Sequence, residues 1–129
     1  MSKLNNEKGQ ALVEFAIILP VLLLVLLGIM EFGMMINSYL TIQNASREGA
    51  RLGIVGGTTD EIKSRVAAVS PDLNAADLNV SVSPDDGNRN SGDTLTVTVD
   101  YNYHTIVPFI SNFINNIIVL KASTSMRIE

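Results

Sequence analysis

The stretch FAIILPVLLLVLLGIM, Phe15 to Met30, contains no charged residue, and Glu14 stands directly before it. Carried through Glu31 to Ile36, the run reaches 22 residues, against about 20 needed to cross a bilayer core. Leucines and valines from 21 to 27 cover every face of a helix, which a helix lying on the flank of a soluble core does not require. A cleaved secretory signal ends on small residues in an A-x-A-like pattern. Here the run gives way to GMMINSYLTIQ, which has no such site. The expectation is a permanent anchor, transmembrane over about 15–36. Lys3 and Lys8 precede it with only Glu7 against them. The positive-inside rule then puts residues 1–9 in the cytoplasm and everything after about Ile36 outside the cytoplasmic membrane.

The helix is expected to outlast the membrane. Asn37 to Val55 contains no proline, and Tyr39, Ile42, Ala45 or Ser46, Gly49 and Gly53 fall on one stripe. Arg47, Glu48 and Arg51 lie off that stripe, with Glu48 and Arg51 three apart, a pairing that supports a helix. A continuous helix from Glu14 to Ile54 is roughly 60 Å long at ~1.5 Å per residue. Gly56-Gly57 supplies a stop, and Pro20 removes one backbone hydrogen bond inside the span, a place where it can kink. The long helix is thus placed at 10–55.

With 129 residues in all, one small domain remains, at 58–129. Thr58 and Glu61 have capping-box spacing, opening a short helix with Ile62, Val66 and Val69 on one face and ending before Pro71. Three alternating segments follow. In the first, Leu78, Val80 and Val82 alternate with polar residues. The second does so with Leu95, Val97, Val99, Tyr101 and Tyr103, and the third with Ile118, Leu120, Ala122, Thr124, Met126 and Ile128. Such alternation reads as an antiparallel sheet covered on one face. PDDGNRNSGD joins the first two strands, and Pro108 to Asn116 is expected to form a short helix burying Phe109, Ile110, Phe113 and Ile114. It is too short, and too interrupted by Asn112, Asn115 and Asn116, to be a second span. The fold class is α+β: a long N-terminal helix continuing into a three-stranded antiparallel sheet with one or two short helices.

Several function classes find no support. Nine basic and thirteen acidic side chains give a net charge of −4, so there is no basic face for nucleic acid. The absence of cysteine removes disulfides and thiolate metal sites. His104 is the single histidine and has no partner at metal-ligand spacing, which points to a structural role. Asp86, Asn88 and Asn90 match the first ligand positions of a calcium loop, but Ser91 stands at its sixth position and Val97 at its twelfth. An EF-hand is rejected. An irregular calcium site on Asp85, Asp86 and Asp93 and a solvated turn both stay open. No acid, base and nucleophile cluster together, so no enzyme, no metal and no cofactor is expected.

Two features remain. Glu31 lies about five turns from Glu14, either at the outer headgroup boundary or against another subunit's helix. Ala45-x3-Gly49-x3-Gly53 forms a flat strip for close backbone approach, either to another helix or to the domain's own sheet. Glu14 is harder to place, because an acid at the lip of an anchor is costly unless its charge is offset. A cut after Gly9 would put a new amine on Gln10, four residues before Glu14. In staggered helices the amine of one subunit can neutralise the carboxylate of its neighbour. The plain alternative is an acid marking the interface.

Gly9, then QALV, then Glu14-Phe15, set between a short basic leader and an uncharged span, resembles the class III signal peptides of type IV pilins. GQALVEFAIILPVLLLVLLGIMEFG and NASREGARLG narrow the resemblance, over Gly9 to Gly53, to TadE-like pseudopilins of the tight-adherence, or Flp-type, pilus system. The sheet domain sets the chain apart from major Flp pilins, which are little more than the helix. The resemblance implies a minor pseudopilin in pilus assembly, with Gly9 the residue cut by a prepilin peptidase, Gln10 the new N-terminus, Glu14 the assembly charge and Phe15 the aromatic after it. The implied partners are that peptidase, other pilins and pseudopilins, the inner-membrane assembly platform and membrane lipid. Gln10 departs from the charge-pairing scheme, since an N-terminal glutamine can cyclise and lose its amine unless methylated or protected. The runner-up is an uncleaved single-pass protein whose external domain binds a partner or surface.

Overall fold

The computed structural model describes the backbone of residues 2–114 and 116–129 and the side chains from residue 6 onward. Met1, the Lys3 side chain and Asn115 lie outside the described residues. A single helix, α1, runs from Ser2 to Ile54, 53 residues, roughly 80 Å at ~1.5 Å per residue. Pro20 lies inside it without ending it. Among the described residues α1 is the one helix long and apolar enough to cross a membrane.

The helix stops where glycine allows it. Gly56 takes a φ of +103°, a left-handed conformation that side chains resist. Its N–H donates to the Gly53 carbonyl at 3.3 Å, and that of Gly57 to the Leu52 carbonyl at 2.9 Å. These two bonds form a Schellman closure. Thr58 then caps α2 (Thr59–Ala68): its side chain accepts from the Glu61 amide, and the Glu61 carboxyl accepts from the Thr58 amide. The capping box read from sequence is present.

Three strands follow, β1 (Leu78–Ser83), β2 (Thr94–His104) and β3 (Ile117–Arg127), antiparallel in the order β1-β2-β3. Val97 lies opposite Val82 on one side and Thr124 on the other, and Val99 opposite Val80 and Ala122. One face is the core, where Leu95, Val97, Val99 and Ala122 join Ile42, Ala45 and Ala50 of α1 and Ile62 and Val66 of α2. The other face is wet. There Thr96 bonds Ser125 and Thr98 bonds Ser123 across β2 and β3.

Two expectations are corrected. Tyr39 is 40% exposed, and Ser38 takes the buried place on the α1 stripe one residue earlier. The helix between β2 and β3 is shorter than expected: α3 spans Pro108–Phe113, and the chain turns extended at Ile114. Nor does it bury its aromatics, since Phe109 is 63% and Phe113 87% exposed. The physical reason is position. α3 leaves the end of the sheet and lies along the anchor half of α1, where no second wall exists to cover its far side.

Gly53 marks the tightest contact of helix and sheet, because a Cβ there would collide with Leu95 and come within 2.9 Å of Ile62 Cδ1. Both neighbours are fully buried and have little room to yield. Gly28 has nothing within 4 Å of its Cβ position. Gly53→Val is therefore expected to cost about 1–3 kcal/mol by overpacking, read by chemical denaturation of the detergent-solubilised chain. Gly28→Val is expected to cost nothing measurable.

Candidate functional site

The functional side chains read from sequence all sit on α1, in three groups along its length. Gly9, Gln10, Glu14 and Phe15 occupy its early turns and are exposed. The Gln10 amide donates to a Glu14 oxygen at 3.3 Å, an i,i+4 contact along the helix. A Cβ on Gly9 would meet nothing within 4 Å, so this segment is accessible from the side. From Leu12 to Met30 every large apolar side chain is more than a third exposed. The chain itself thus leaves the anchor uncovered, as a lipid-solvated helix requires.

Glu31 is different, being only 2% exposed. Its two oxygens accept separate backbone hydrogen bonds from the stretch after β2: Oε1 from the Ile106 amide at 3.0 Å and Oε2 from the Val107 amide at 3.3 Å. The acid is thereby buried against its own chain and satisfied there. A buried acceptor with two amide donors is far cheaper than one left alone in an apolar setting. Tyr103 completes this corner. Its hydroxyl is buried without a completed hydrogen bond, in the field of the Glu31 carboxyl. Burial first, then that carboxyl, push its phenol up to about 12.

Ala45, Gly49 and Gly53 face the sheet domain. Ala45 is fully buried, and a Cβ on Gly49 would press on Val66, Ile62 and Val97. Ser46, also fully buried, ties the same stripe to β3 through a 2.6 Å hydrogen bond with Thr124. Of the alternatives open for this strip, the structure fills the domain's own.

The β1–β2 loop uses Asp86 and Asp93 internally. Asp86 accepts from the amide and hydroxyl of Thr59 at 2.8 and 2.6 Å and pairs with Arg89 at 3.0 Å. The Thr59 bonds, helped by Arg89, hold the Asp86 carboxyl below the usual carboxylate range. Arg89 also donates to the carbonyls of Pro84 and Gly57 at 2.9 and 2.8 Å, which clamps the loop to the turn after α1. Asp93 accepts from the Asn90 amide at 3.0 Å. Among the described residues no group of three acidic or histidine side chains converges for a metal. His104 pairs with Asp77 at 3.1 Å.

Sequence reasoning missed three partners, the Ile106 and Val107 amides and the Arg89 guanidinium. Backbone donors carry no residue signature. The signal that did exist is the uncharged run from Thr105 to Leu120, which marks an unusual environment without naming Glu31.

Glu31→Ala removes both acceptors and leaves the Val107 amide buried and unpaired. Hydrogen bonds to a charged group are worth about 1.5–3 kcal/mol each. Amide exchange at Ile106 and Val107 in micelles is therefore expected to speed up at least about tenfold, since ~1.4 kcal/mol is a factor of ten, with the β2–β3 ladder protected as before. For Tyr103, a folded pKa above the unfolded value stabilises the fold fully below pH ~10. That stabilisation is lost as pH rises from there to about 12. Tyr103→Phe is expected to match the parent chain at pH 7 and to lose less stability across that alkaline window, measured by denaturant titration.

Residues 9–51 match the family model described as TadE-like protein. No curated protein and no solved structure matches the chain. The matched segment opens at Gly9 and takes in Glu14, the whole apolar run, Glu31 and most of the stripe that packs on the sheet. Along its first helix the chain is similar to the TadE-like family, in the segment where its sequence resembles that family.

Proposed function

We propose that the chain is a pilin-like structural and assembly subunit, a pseudopilin of a Flp-type tight-adherence pilus, without catalytic activity. It is held in the cytoplasmic membrane by α1, with the leader in the cytoplasm and the sheet domain outside, and acts in pilus biogenesis and surface colonisation. The observation that carries this reading is the TadE-like match beginning at Gly9, five residues before an acid that opens an uncovered apolar helix. A prepilin peptidase cuts after Gly9 and leaves Gln10 at the new N-terminus. Glycine inside a helix costs about 1 kcal/mol relative to alanine, so the helix is weakened where the peptidase must open it. The freed amine is offered to Glu14 of a neighbouring subunit in the membrane, and other pilins and the assembly platform are its partners there.

Intact mass and N-terminal sequencing of the protein from its native membrane are expected to give a chain starting at Gln10, with Gly9→Lys abolishing the cut. A chain retaining Ser2 to Gly9 would overturn the processed-subunit reading. It would leave an uncleaved single-pass anchor whose sheet domain binds a partner or surface.

A further inference from the structure

The connection between β2 and β3 is charge-free and bonds its backbone as a membrane element would, although it is too short and too interrupted by asparagine to span. From Thr105 to Leu120 there is no charge. Ile106, Phe109, Phe113, Ile114, Ile117 and Val119 are all exposed, at one end of the sheet domain. α3 does not fold back on the sheet but descends along α1. Phe109 lines an apolar cleft with Pro20, Leu23, Leu24 and Leu27. Phe113 and Ile110 line an adjoining groove of about 330 Å³ with Leu24, Gly28 and Phe32. Leu27 and Leu24 lie one and two turns before Glu31, about 6–10 Å along the helix at ~1.5 Å per residue. The exposed face of α3 is therefore continuous with the uncovered face of the anchor and lies at the same depth.

Hydrocarbon tolerates such a segment only if its backbone is satisfied from within the protein. Here the amides of Ile106, Val107, Ile110, Ser111 and Ile114 all find acceptors within the protein. The Ile106 and Val107 amides donate to Glu31, and Pro108 has no amide hydrogen. Ile110 and Ser111 both donate to the Val107 carbonyl, Ile114 to that of Ile110, and Thr105 to Asn116. The Ser111 hydroxyl bonds the Pro108 carbonyl. In an aqueous loop water would serve these amides, and an acid recruited from the anchor would be needless.

We propose that residues 106–114 form a second membrane element, a wedge seated among the lipid acyl chains alongside Pro20 to Phe32 of α1, with Glu31 as the internal acceptor that makes its descent possible. The proposal rests on α1 being a membrane anchor and is independent of pilus assembly. The ligand is hydrocarbon. The wedge fixes the sheet domain against the bilayer surface at a second point, beside the helix.

The chain contains no tryptophan, so a single introduced one reports its own surroundings. Phe109→Trp and Phe113→Trp, at exposed positions that do not hold up the core, would be made in the full chain. They would be reconstituted in phosphatidylcholine vesicles whose acyl chains carry bromine, a contact quencher. Leu23→Trp serves as the anchor reference and Ser123→Trp, on the wet face of the sheet, as the aqueous one. The expected result is quenching of both α3 reporters to an extent comparable with Leu23→Trp and well above Ser123→Trp. Quenching no greater than at Ser123→Trp, with Leu23→Trp quenched, would overturn the wedge and keep the anchor. Quenching that stays at the Ser123→Trp level in protein-rich vesicles and reaches the Leu23→Trp level only on dilution in lipid would replace lipid with a second copy as what covers α3. An unquenched Leu23→Trp would overturn the anchor and the wedge together.

Discussion

The second half of α1 is the wall on which the sheet domain is built. Ile42, Ala45, Ser46, Gly49 and Gly53 present small or fully buried surfaces at helical spacing. β2 and α2 close on that strip through Leu95, Val97, Ile62 and Val66. A three-stranded meander with one wet face does not make a core by itself. The helix supplies the missing layer, which is why it must run on past the apolar span without a break. A bulky residue at position 49 or 53 would push the sheet away from the helix it packs on.

Glu14 and Glu31 show how one helix can carry two acids for opposite reasons. Glu14 stays on the surface, where the Gln10 amide donates to it, and its charge remains available to groups outside the chain. Glu31 is enclosed, and its oxygens are used by the chain's own backbone. A carboxyl group in an apolar setting needs donors. The difference between the two is whether those donors are built in.

Much of this was legible in the residues. The span, the Gly56-Gly57 stop, the Thr58 cap and all three strands follow from local rules of periodicity and capping. Those rules act over a few residues and leave their marks in order along the chain. The segment from Gly9 to Gly53 also resembled the family whose model matches residues 9–51. The partners of Glu31 were not legible, because two main-chain amides 75 and 76 residues away have no identity to read. The fate of Phe109 and Phe113 was misread for a related reason. Apolar periodicity shows that a face avoids water, not which neighbour takes water's place. Tyr39 failed by one position, since Ser38 shares its turn and is small enough to face the sheet.

Because α1 is unbroken, the sheet domain has a fixed heading around the anchor. The stretch after β2, α3 and the groove between α3 and the helix all lie on the side of Leu24, Gly28 and Glu31. At ~100° per residue, Leu22, Leu26 and Ile29 point the other way. A neighbouring helix that approaches in the plane of the bilayer finds that back free and the front taken. Once it docks there, the compass direction of the distant wet face, with its ladder of Thr96, Ser125, Thr98 and Ser123, is already decided.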